Sequence, residues 1–174
     1  HRATLAWSRR QLGEAAVPLH SHFATIAPSA ALALIAEAKA DHVQRALATT
    51  NWAGLPLLSA ASPFRAGGLG GPGNYTDVPV GPLRMRNLSD LYPFPNTLVT
   101  LLMSGAEVAD WLERGAALFH KIAPGAVDAA LIDGAVPSYV FETIPRLSYA
   151  IDLSQPARFD AQGRLINPEA RRIT

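Results

Sequence analysis

The chain has 174 residues, 49% hydrophobic and 17% charged, which is enough apolar material for one ordinary domain and too little charge for a disordered segment. Fifteen lysines and arginines against fourteen acids leave a net charge of +1, which excludes a surface that holds a nucleic acid polymer by counterion release. The absence of cysteine removes disulfides, thiolate metal sites and thiol catalysis, and leaves the cellular compartment open.

The longest apolar run, residues 30–40, is broken by Glu37 and Lys39 and falls short of the roughly 20 residues a membrane span needs. No signal-peptide pattern is present, so any such peptide is expected outside this sequence. Leu32, Ile35, Lys39, Val43 and Leu47 recur at three- and four-residue spacing after Pro28, which predicts an amphipathic helix over residues 29–48. The apolar run 55–61 follows turn residues from Asn51 to Gly54 and predicts a buried strand. Residues 62–82 are dense in glycine and proline and lack apolar periodicity, which predicts a long shaped loop of the kind that carries function.

Residues 98–103 read as a strand, and Ser104 with Glu107 forms a capping box that opens a second helix. Val108, Trp111, Leu112, Ala116, Phe119 and Ile122 supply that helix with one apolar stripe, and Pro124 with Gly125 is its expected stop. Trp111 reads as core. Residues 139–144 and 147–153 read as a hairpin joined near Pro145 and Arg146, and residues 159–166 as a tight turn at Gly163. The chain ends after Arg171, Arg172, Ile173 and Thr174 without a stop signal, so the domain is expected to be cut short at its C-terminal end. Helices and turns both separate the strands, which predicts an α+β fold with a layered mixed sheet in one domain over residues 1–174.

His20 and His22 fall on one face of an extended segment, an acceptable spacing for two metal ligands, yet no third ligand lies near them in sequence. They therefore read as solvent-facing or hydrogen-bonded histidines, and His42 and His120 as helical residues without a role. No Gly-x-Ser-x-Gly elbow supports acyl chemistry, and no pair of acids stands out for glycoside hydrolysis. The run Gly67-Gly68-Leu69-Gly70-Gly71 resembles a phosphate cradle but lacks the Lys-Ser/Thr ending of a P-loop. Arg65 beside it is either an ordinary surface arginine or a guanidinium that holds a phosphate or ribose oxygen. Phe94, stiffened between Pro93 and Pro95 and followed by Asn96, is either a packing residue or a platform on which a base stacks.

Residues 57–79, LLSAASPFRAGGLGGPGNYTDVP, and 87–98, NLSDLYPFPNTL, resemble the C-terminal domain of the bacterial 2′,3′-cyclic-nucleotide 2′-phosphodiesterase/3′-nucleotidase family, within the 5′-nucleotidase superfamily. The resemblance continues through residues 104–113, 148–160 and 166–168 and covers most of the chain from about Val17 onward. It implies a nucleotide-binding domain, with catalysis performed by an N-terminal metallophosphoesterase domain that carries two divalent metal ions and lies outside this chain. It implies no cofactor or catalytic residue here, and no hydrolysis by this segment alone. By the same resemblance Arg65 contacts substrate alongside Gly67 and Gly68, Phe94 is the first of two aromatics around the base, and Asn96 holds base or ribose. The expected partners are a nucleoside or nucleotide and the same polypeptide's metal-bearing domain, in a periplasmic or secreted protein of nucleotide catabolism. Two departures bear on this: Leu69 stands where the family commonly has a basic residue, and the second stacking aromatic comes from a motif past Thr174, so binding is expected to be weak. The alternative is a stand-alone nucleotide- or sugar-binding module without activity.

Overall fold

The computed structural model describes residues 1–174, except for the side chain of Leu69, so the reading of Leu69 as a lost phosphate contact lies outside the described residues. Helix α1 (Arg2–Arg9) leads into strand β1 (Gln11–Ala15) and the short strand β2 (Leu19–His20). Helix α2 (Ala30–Leu47) starts at Ser29, whose hydroxyl accepts the backbone N–H of Leu32 and donates to the carbonyl of His20 at 2.9 Å. One hydroxyl thus caps the helix and ties its start to β2. The buried stripe of α2 is Ala31, Leu32, Ala36, Ala40 and Val43. Its alanines let the helix approach neighbouring backbone closely, while each buried Leu or Val contributes about 1.5–3 kcal/mol relative to exposure.

Strand β3 (Asp77–Val78) pairs antiparallel with β2, and β4 (Gly81–Arg84) pairs antiparallel with β1 across a register shift between Gln11 and Gly13. Helix α3 (Met85–Leu91) follows directly, and α4 (Gly105–Gly115) comes after a long extended segment. Ala15, Leu19, Ala31, Val78 and Leu91 form one core cluster, and Ala24, Leu32, Ala36 and Ala61 a second, with Ile35 of α2 packed against both. A third cluster, around Leu118, Phe119, Val136 and Phe141, lies beyond α4, with the Phe119 and Phe141 rings edge to face at 5.3 Å. The architecture is α+β, with antiparallel two-stranded sheets as its β component.

Helix α4 has the capping box expected of its sequence: the Ser104 hydroxyl accepts the Glu107 N–H, and the Glu107 carboxylate accepts the Ser104 N–H at 2.7 Å. It stops nine residues before Pro124, however. The chain leaves α4 through a 3₁₀ turn, and Phe119 turns extended to bridge Ile132. Arg172 explains the early exit, because its Nη1 donates to the carbonyls of both Ala116 and Phe119 at 2.9 Å and satisfies acceptors that a longer helix would have used internally.

Three strand expectations are corrected. Residues 55–61 form no strand: Leu55 and Leu58 are exposed, and Ala61 alone pairs, with Thr143. Residues 98–103 are extended but belong to no ladder, and Leu102 is 71% exposed. Residues 139–144 and 147–153 do not pair as a hairpin; residues 138–140 form a 3₁₀ turn, Thr143 bridges Ala61, and Ile151 bridges Ile173. In each case the apolar pattern is strand-like, and pairing goes to a partner distant in sequence or to none. The turn at Gly163 (φ 74°) stands as expected, with Phe159 bridging Leu165 across it.

Candidate functional site

The glycine-rich loop is a closed, pinned structure. Ala66 bridges Tyr75, and the Gly67 N–H donates to the Asn74 carbonyl at 2.9 Å, so the loop returns on itself. Gly67 has φ 71° and Gly68 φ 60°, conformations that favour glycine. At Gly67 the space matters as well, since a Cβ there would lie 2.6 Å from the Tyr75 hydroxyl oxygen, whereas Gly68 faces open space. The buried Ser21 fastens the loop to the sheet: its hydroxyl accepts the Thr76 N–H at 2.9 Å and donates to the Arg65 carbonyl.

Arg65 is partly buried and held from two sides. Its Nη1 donates to Asp90 Oδ1 at 2.9 Å and its Nε to Asn74 Oδ1 at 3.3 Å. Asp90 is itself fixed near the end of α3, where its carbonyl accepts the Thr76 hydroxyl at 2.8 Å. Next to Arg65, the Phe64 ring meets Tyr92 and Phe94 nearly perpendicularly, both at 5.4 Å between centroids. Phe94 nevertheless remains 52% exposed, so it is braced without being covered. Asn96 donates its side-chain amide to the Tyr92 hydroxyl at 3.2 Å.

Arg65, Gly67 and Gly68 therefore sit on one loop, Phe94 and Asn96 on the turn that follows α3, and Phe64 joins the two. The reading of the sequence passed over Phe64, Tyr92, Asp90 and Asn74. The aromatics had a signal, since Tyr92 and Phe94 sit on either side of Pro93, and both rings meet Phe64. Asp90 and Asn74 had none, because nothing in the local pattern says which acid or amide an arginine will meet.

His20 and His22 stack with centroids 5.1 Å apart, and His22 lies edge-on to Tyr75 at 5.0 Å. The pair supports the rim of the glycine loop. Nδ1 of His20 is buried without a hydrogen-bond partner, and among the described residues no three His, Cys, Asp or Glu side chains converge on a metal position. Trp111 is half-buried, and its indole N–H donates to the carboxylate of Glu142, which also accepts the Ser62 hydroxyl at 3.3 Å.

A wide apolar concavity lies elsewhere. A trough of about 1510 Å³ opens between α2, the extended residues 96–103 and α4, lined by apolar residues such as Leu34, Leu58, Leu101, Trp111 and Ile144. Asn96 is on its rim, but Arg65, Gly67, Gly68 and Phe94 do not line it. Burial pushes the hydroxyl of Tyr149, on its wall, above the ordinary phenol value. Its lining is mainly apolar, with Lys39, Asn96, Glu142 and Tyr149 among its polar side chains. No helix among the described residues is long and apolar enough to cross a membrane.

The family described as "5′-nucleotidase, C-terminal domain" matches residues 11–172. The chain is 37% identical over 177 residues to the 2′,3′-cyclic-nucleotide 2′-phosphodiesterase/3′-nucleotidase of Haemophilus influenzae, covering 99% of this chain and 27% of that protein. It is 36% identical to the Salmonella typhimurium protein of the same name, with the same coverage. It is 34% identical over 174 residues to the trifunctional nucleotide phosphoesterase protein YfkN of Bacillus subtilis, covering 99% of this chain and 12% of that protein. The chain thus spans about a quarter or less of the length of these relatives. No solved structure matches it.

Proposed function

The chain belongs to the 5′-nucleotidase C-terminal domain family, and from that premise we propose that it is the substrate-recognition domain of an exported phosphoester hydrolase acting on 2′,3′-cyclic nucleotides and 3′-nucleotides. The base stacks on Phe94, Arg65 and Asn96 donate to oxygen atoms of base or ribose, and the backbone at Gly67 and Gly68 allows the ligand close approach. The observation that carries this reading is Phe94: a phenyl ring half exposed, stiffened by flanking prolines and braced by Phe64, beside a guanidinium already oriented by Asp90.

A preset aromatic loses little side-chain entropy on binding, and stacking on such a ring is worth about 1–3 kcal/mol per base. The domain contributes orientation, placing the phosphoester against the reacting groups, and positioning of this kind supplies a large share of many enzymatic rates. Two divalent metal ions would polarise the phosphoryl group and activate water. No cluster among the described residues suits them, so the reading assigns their ligands to another part of the polypeptide.

The test is a calorimetric or NMR titration of the chain with adenosine and 3′-AMP, repeated with Phe94→Ala. Saturable binding that disappears in the variant is the expected result. Binding by wild type that survives in Phe94→Ala would overturn the assignment of the platform.

A further inference from the structure

The charge around Arg65 distinguishes which part of a nucleotide this site can hold. The guanidinium does not project as a free cation, because Asp90 Oδ1 lies 2.9 Å from Nη1 and the Asn74 amide oxygen takes Nε at 3.3 Å. Residues 66–76 of the loop contain no Asp, Glu, Lys or Arg, and neither do residues 91–103; the exposed Arg86 stands one turn before Asp90 on α3. His22 packs edge-on against Tyr75. Arg65 and Asp90 offset one another, while the three guanidinium N–H groups not used by Asp90 and Asn74 stay available as donors.

We propose that Arg65 and Asp90 act as one charge-neutral donor that reads the uncharged nucleoside, its hydroxyl and carbonyl oxygens, and does not hold the phosphate. Asp90 is the positioning residue in this arrangement. It orients the guanidinium and cancels the field that would otherwise draw a phosphate dianion onto the loop, where the ester would be sequestered from the reacting groups. A carboxylate 2.9 Å from the guanidinium offsets much of its attraction for a phosphate and leaves neutral hydrogen bonding intact. The inference deepens the proposed function and rests on Phe94 and Arg65 forming the nucleoside site.

The test compares adenosine with 3′-AMP on the chain, without divalent ions, at about pH 8 and at about 20 and about 200 mM salt to vary screening. Wild type is expected to bind both ligands within about two-fold of each other, with little salt dependence, because Asp90 offsets Arg65. Asp90→Asn keeps an acceptor for Arg65 and frees its charge, so 3′-AMP should bind about three- to five-fold tighter at low salt, with adenosine unchanged. Asp90→Glu should restore the wild-type ratio. A purely structural Asp90 would instead lower both affinities together, and that outcome overturns the proposal. So does a wild type that prefers 3′-AMP in a salt-sensitive way, although adenosine binding lost in Phe94→Ala would still leave the site reading standing. Adenosine binding indifferent to Phe94→Ala would remove the site reading and this inference with it.

Discussion

Glu113 holds the backbone on either side of Arg172's side chain, while the Arg172 guanidinium holds the exit of α4. The Glu113 carboxylate accepts the N–H groups of Arg172 and Ile173 at 2.6 and 2.9 Å, while the Arg172 guanidinium donates to carbonyls at the exit of α4 and, through Nε, to Gln155 at 3.0 Å. Each residue is only 1% exposed, and burial pulls the guanidinium below its ordinary value against the opposing pull of the Glu113 and Asp152 charges. Their removal leaves buried partners unsatisfied. Arg172→Ala and Glu113→Ala should each destabilise the fold by about 3 kcal/mol or more, and Glu113→Gln, which keeps one acceptor oxygen, by about 1 kcal/mol. Urea unfolding at constant slope measures all three, and an Arg172→Ala loss below that of Glu113→Gln would contradict the clamp.

The two loop glycines should respond differently to the same change. Gly68→Ala meets open space and costs only the left-handed backbone, about 1 kcal/mol. Gly67→Ala has the same backbone cost and also drives a methyl into the Tyr75 hydroxyl, so the loop must shift. Thermal melting should rank Gly67→Ala clearly below Gly68→Ala, and the expected weakening of adenosine binding should follow the same order. Equal melting temperatures would mean that Tyr75 does not back the loop.

Acid sensitivity has a specific contributor at Arg146. Its guanidinium donates bidentately to Glu37, at 2.9 and 2.6 Å, and these hydrogen bonds hold the Glu37 carboxyl below its usual range. A carboxyl depressed in the folded state stabilises fully above its unfolded value and loses that contribution as pH falls through its folded value. Arg146→Ala should therefore lie below wild type in melting temperature at pH 7, and the gap should close between about pH 5 and about pH 2. A gap that widens on acidification has the wrong sign for this pair.

The trough exposes apolar surface to solvent, including Val99 and Leu101. Surfaces of this kind bind apolar dyes and promote association. The folded chain should enhance the fluorescence of an apolar probe under native conditions, and Val99→Lys combined with Leu101→Lys should reduce that signal without lowering the melting temperature. A wild-type signal no greater than that of the double variant would show that residues 96–103 do not lie open as described.

Local signals were legible where the hydrogen bonds are local. Ser29 and Pro28 announced α2, and Ser104 with Glu107 announced the start of α4, because a helix satisfies its backbone within four residues and its cap within three. The same logic failed at the end of α4, where Arg172, more than fifty residues away, supplies the terminating donors. It failed again for residues 55–61 and 98–103, whose apolar runs suit a strand while the ladder that would make them one depends on what lies alongside.

The candidate site divides in the same way. The sequence by itself determined the stiff Pro93-Phe94-Pro95 unit, the glycine loop after Arg65 and the family to which both belong, since these are properties of neighbouring residues. Tertiary structure alone decided that Phe64 would brace Phe94, that Tyr75 would fill the space behind Gly67, and that Asp90 would meet Arg65 across twenty-five positions. Charge and packing act through space, so the partner that sets the character of a guanidinium is fixed only when the chain has folded back on itself.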